Sequence, residues 1–82
     1  MMRLISQDKT ADIPYTGTSL LIEGDDDDGW HIMAHTLTKK SVAMAEYDKV
    51  EHAIAELGEV SRSAAKGWKM FFFRGKEHYA AN

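Results

Sequence analysis

The chain has 82 residues, ten Lys and Arg against thirteen Asp and Glu for a formal charge of -3, 44% hydrophobic and 28% charged residues, and no cysteine. That length holds a single domain, 1–82, which excludes enzymes built from separate cofactor and substrate domains. The composition is that of a globular chain rather than a disordered one, and the lack of Cys excludes disulfides, thiolate metal sites and a cysteine nucleophile.

Residues 2–6 (MRLIS) read as a short opening strand, and the polar residues 7–12 behind them as a turn. Residues 18–23 (TSLLIE) and 30–38 (WHIMAHTLT) are two further strands. The second alternates Trp30, Ile32 and Ala34 on one face with His31, Met33, His35 and Leu37 on the other. Joined by the Gly-bounded acidic connector 24–29 they make a hairpin, and Lys39 and Lys40 turn the chain into another strand, 41–47 (SVAMAEY). Val50, Ala53, Ile54 and Leu57 then follow i, i+3, i+4, i+7, with Asp48 and Glu51 spaced as a capping box; this predicts a helix over 49–57 docked through Val50, Ile54 and Leu57. Gly58 is its natural stop, although Val60 and Ala64 continue the stripe and would carry the helix to 66, at about 1 kcal/mol for the internal glycine. Residues 68–74 (WKMFFFR) form a last strand that is apolar on both faces and needs cover on both.

The expected architecture is therefore α+β: an antiparallel sheet of four to five strands with one helix, about 49–57 and extensible to 66, packed on one face. The second face would expose Phe71, Phe73, Met33 and Leu37 unless a second subunit or a ligand covers it. Area points the same way. Folding a chain of this size removes about 8,000 Å² from water, and the resulting burial energy, on the order of 125 kcal/mol, is matched by a conformational cost of about the same size. A homo-oligomer, most simply a dimer, is the expectation.

Chemistry-bearing patterns are few. Glu23, Asp25, Asp26, Asp27 and Asp28 put five acids in six residues, but an EF-hand in this frame needs an acid where Gly24 stands and a Glu where His35 stands. The acidic run is a solvated hairpin tip or an electrostatic contact for a basic protein partner. His31 and His35 would share a face on a helix, yet on a strand they lie about 13 Å apart, too far for one ion. There is no G-x-S-x-G, and Gly75-Lys76 precedes Glu77, with Met70 where a phosphate loop needs its first glycine. No catalytic residue, metal or cofactor is expected, and the protein reads as a non-enzyme. Residues 66–73 (KGWKMFFF) partly resemble the aromatic strand of RNA-recognition domains at Lys66, Gly67 and Phe73, but the order of elements differs. Charge is uneven: residues 61–78 carry five bases and one acid, residues 1–38 two bases and seven acids. A small anionic, nucleotide-type ligand would be held by Arg3, Lys69 and Arg74, with Trp68 or Phe71 stacking.

The opening MRLISQD, the DIPY that follows, the strand ending MAEY and the A-x-x-x-L spacing of the helix resemble small uncharacterised proteins of tailed phages and prophages of Gram-positive bacteria. Those proteins usually place Gly or Asn where this chain has Lys9, and they lack the run at 25–28. The resemblance implies an accessory protein of anti-defence type that binds a host or defence protein by charge complementarity. The alternatives it leaves are an oligomeric sponge for an anionic nucleotide signal and a structural or morphogenetic phage role. No functional residue carries over. The longest apolar run, residues 70–73, is four residues, too short for a leader or a membrane span, so the expected location is the cytoplasm of the bacterial host.

Overall fold

The Val, Ile and Leu alternation of the middle third dictates a meander, and the computed structural model, which describes residues 1–80, contains it. Strands β3 (Ser19–Asp25), β4 (Gly29–His35) and β5 (Ser41–Tyr47) pair antiparallel in that order. Leu20, Ile22, Ile32, Ala34, Val42, Ala45 and Tyr47 point inward, while Leu21, Met33 and Ala43 occupy the opposite face. A register shift between Ile32 and Met33 leaves Met44 unopposed, and the carbonyl so freed accepts the Gln7 N–H at 2.7 Å.

Through that bond a second sheet joins the first. Strands β1 (Arg3–Ile5), β2 (Asp12–Pro14) and β6 (Met70–Phe72) lie in the order β2-β1-β6, with β2 antiparallel and β6 parallel to β1. The four to five strands expected in one antiparallel sheet are thus two sheets of three, one of them mixed. Strand β2 escapes a periodicity reading because it is three residues long and ends on Pro14. Between β1 and β2, the Asp8 carboxylate accepts from Ser6 Oγ, Thr10 Oγ1 and the Thr10 N–H, which holds its pKa down at about 2. Lys9 follows at φ 66°, the left-handed region that Gly and Asn occupy most readily.

Helix α1 runs Val50–Ala65, so it passes through Gly58. It ends in a Schellman turn: Trp68 N–H donates to the Ser63 carbonyl at 3.1 Å, Gly67 N–H to that of Ala64 at 3.1 Å, and Gly67 takes φ 79°. Its start also differs from expectation. Lys49 is the N-cap and makes no side-chain capping bond, while Asp48 pairs with Lys76 at 3.1 Å. The buried stripe is Ala53, Glu56, Val60 and Ser63; Val50 and Leu57 lie at its margin, and Ile54, expected in the interface, is 57% exposed. Leu4, Met44, Tyr47, Val60, Phe71 and Phe73 fill the space between the helix and the two sheets. A short final helix, α2 (Glu77–Ala80), brings Tyr79 edge-on to Tyr47 at 5.5 Å between ring centres.

Two substitutions on α1 read this register directly. Val60→Ala should cost about 1–3 kcal/mol in urea unfolding, whereas Ile54→Ala should stay within about 0.5 kcal/mol of the parent. Gly58→Ala should stabilise by about 0.5–1 kcal/mol, because the nearest atoms its Cβ would meet belong to the exposed Arg62 guanidinium, at 3.3 Å, the far end of a long side chain. A loss at that position in the same measurement would mean that α1 does not continue through it.

Candidate functional site

Two surfaces carry the residues singled out from the sequence. The first is the β3–β4 turn. Asp25 Oδ1 accepts the backbone N–H groups of Asp27 at 3.0 Å and Asp28 at 2.7 Å, which folds the tip into a defined shape. Gly24 and Gly29 flank it at φ 129° and 92°, and a Cβ on Gly24 would run into the Gly29 carbonyl oxygen. Asp26 Oδ1 accepts the Trp30 indole N–H at 3.0 Å. Behind the tip, Glu23 faces His35 at 3.3 Å, and His31 faces Glu46 at 3.2 Å. The two histidines therefore meet separate carboxylates, and the described residues contain no cluster able to hold a metal ion. Asp25, Asp26, Asp27 and Asp28 are all exposed, and no Lys, Arg or His among the described residues lies within ion-pair distance of them.

The second surface surrounds β6. Alternation sends Phe71 and Phe73 into the core, with their rings edge to face at 5.3 Å, and leaves Trp68, Met70 and Phe72 54%, 46% and 47% exposed. Among the expected apolar exposures, Leu37 holds, while Phe71 and Phe73 are replaced by these three. Lys9 lies over the Phe72 ring at 5.4 Å. A groove of about 190 Å³ runs beside the strand, with Glu59 and Ser63 of α1 on its far wall.

The residues expected to grip an anionic ligand do not converge. Phe71 is buried. The Arg3 guanidinium is taken by Asp12 at 2.8 Å. Arg74 belongs to a network centred on Glu56, whose side chain is 0% exposed. Glu56 accepts from the Arg74 backbone N–H at 2.8 Å, from Arg74 Nε at 3.1 Å and Nη2 at 2.9 Å, and from the Tyr79 hydroxyl at 2.6 Å. On the other side of the same residue, the Arg74 carbonyl accepts from the Tyr47 hydroxyl and from Gln7 Nε2, the latter at 2.9 Å. Gln7 also exchanges hydrogen bonds with the Glu46 main chain, at 3.1 and 3.3 Å. Only Trp68 and Lys69 of the expected ligand set remain on the surface and uncommitted among the described residues. The sequence does not single out Glu56, because the apolar period at 50, 53, 54 and 57 leaves position 56 off the expected stripe, whereas the buried stripe is Ala53, Glu56, Val60 and Ser63.

No family model matches the chain, and neither do curated proteins or solved structures.

The network makes stability sensitive to base. Burial, together with the hydrogen bond to Glu56, raises the Tyr79 pKa to about 12, and burial beside the Glu56 charge pushes Tyr47 higher still. A raised folded pKa retains the proton that the unfolded chain releases near pH 10. The contribution is therefore complete below about pH 10 and lost as pH climbs through about 12. Urea midpoints should stay flat from pH 7 to about 10 and then fall, together with a late rise in tyrosinate absorbance. Titration of all three tyrosines near pH 10 without loss of stability would show that the two hydroxyls are not held as described.

Proposed function

We propose that this chain is a non-catalytic accessory protein of the phage type, whose β3–β4 hairpin docks on a basic surface of a host or defence protein. The observation that carries this reading is the state of the tip: four consecutive aspartates in a turn of fixed shape, exposed, and without a cation of their own. Several other acids of this chain have a basic partner, as Asp12 has Arg3, Glu56 has Arg74, and Glu46 has Lys76. A preformed unpaired cluster steers a basic partner and forfeits little side-chain entropy on contact. The sponge alternative is the weaker one, since Arg3, Arg74 and Phe71 are engaged within the fold.

The test replaces Asp26, Asp27 and Asp28 together by Asn and retains Asp25 for the turn. The variant should unfold within about 1 kcal/mol of the parent. Partners recovered from bacterial lysate by the parent should bind the variant at least about tenfold more weakly, and parent binding should fade as the screening length falls from about 10 Å at 0.1 M salt to about 3 Å at 1 M. A partner bound equally by both chains and indifferent to salt would refute the proposal.

A further inference from the structure

The register of β6 sorts its backbone groups by direction. The Lys69 carbonyl accepts the Arg3 N–H at 2.8 Å, and the Phe73 N–H donates to the Ile5 carbonyl at 3.1 Å. With Arg3, Leu4 and Ile5 aligned to Met70, Phe71 and Phe72, the parallel ladder uses both groups of Phe71 and turns those of Met70 and Phe72 to the open edge. Exposed edges are normally blunted by proline, a bulge or an outward charge. The opposite edge of this sheet ends on Pro14, and β5 carries the bulge closed by Gln7. Strand β6 carries neither a proline nor a bulge; it is three residues long with exposed Lys69 beside it, and its outer face is Trp68, Met70 and Phe72.

We infer that this edge is the dimer interface of the protein, closed by a second copy of β6 paired antiparallel about a two-fold axis through Phe71. The four outward groups suit that operator. Met70 of each copy comes opposite Phe72 of the other, and each such pair exchanges both N–H and C=O bonds, a narrow hydrogen-bonded pair on either side of the axis. The same register sets the Met70 thioether of each copy against the Phe72 ring of the other. It also brings Lys69 of each copy opposite Phe73 of the other. The chain order β2-β1-β6 becomes a continuous six-stranded sheet, with both α1 helices on one side. The three half-exposed side chains contribute roughly 100 Å² each. Two copies thus supply about half of the ~1,200 Å² that a specific interface needs, and the groove walls must add the rest, so the pairing belongs among weak associations. This pairing is independent of the acidic hairpin, whose neutralisation should leave it unchanged.

Sedimentation of the full chain from about 1 to 200 μM should show a monomer–dimer equilibrium with a dissociation constant in the micromolar range. Phe72→Glu should weaken it at least about tenfold while the far-UV spectrum and melting remain those of the parent, since the position is half exposed. Register is read by crosslinking in this cysteine-free background. A mixture of Met70→Cys and Phe72→Cys chains should oxidise to a covalent dimer at least about fivefold more than either chain alone, because hydrogen-bonded pairs sit about 5.5 Å apart at Cα. A monomer at every concentration overturns the inference. A dimer insensitive to Phe72→Glu, or equal crosslinking in all three samples, overturns it as well.

Discussion

A carboxylate inside a protein is tolerated only when its surroundings replace the water it has lost, and Glu56 sets that requirement for this fold. Four hydrogen bonds meet it, three of them from one residue, Arg74. To deliver them, the chain leaving β6 must pass directly under the middle of α1, and α2 must fold back to present Tyr79. The Arg74 carbonyl is in turn satisfied by Tyr47 and Gln7, which reach it from the end of β5 and the end of β1. One buried charge thereby fixes the relative position of five elements, and among the described residues no buried side-chain polar atom is left without a partner. Removing one member of such a pair typically costs about 3–5 kcal/mol, a large fraction of what a domain of this size has available.

The same network redistributes charge. In the sequence, the excess of bases over residues 61–78 looks like a basic face opposite an acidic one. In space, Arg62 is held by Glu59, Arg74 by Glu56, and Lys76 by Glu46 and Asp48. Acids from α1, and from β5 and the turn after it, engage three of the five bases of that segment, leaving Lys66 and Lys69, while among the described residues the hairpin aspartates have no basic neighbour within ion-pair distance. Linear charge segregation is therefore weakened at the basic end and kept in full at the acidic tip.

Much of the fold was legible beforehand because it is written in local periods. The meander from Thr18 to Tyr47 shows period two, and α1 shows period 3.6. What failed failed for physical reasons. A capping box at Asp48 and Glu51 competes with the Asp48–Lys76 ion pair, which no local pattern reveals. Ile54 satisfies the helical period, yet the buried stripe lies one position round, where Ala53 and Glu56 approach the sheets. Gly58 looked like the stop because glycine ends helices, but the left-handed geometry that makes it useful is needed at Gly67. The division into two sheets was not legible at all, since the parallel β1–β6 pairing and the bulge at Met44 are long-range facts. Of the candidate sites, the acidic tip could be read from composition alone. The exposed side of β6 could not, because Trp68, Met70 and Phe72 are as apolar as the Phe71 and Phe73 that alternate with them.

The parallel pairing of the first and last strands also governs the order in which the molecule can be made. Gln7 and Arg74 meet across a sequence separation of 67, so the loop they close is nearly the whole chain. Hairpin β3–β4, strand β5 and the first turns of α1 depend on neighbours and can form while synthesis continues. Strand β1, by contrast, can pair with the nearby β2 early, but its other edge stays open until β6 has been made. A nascent chain of this protein therefore keeps one edge of β1 unpaired until residues 70–72 are made, and a chain cut short before Arg74 lacks every hydrogen-bond donor that Glu56 uses.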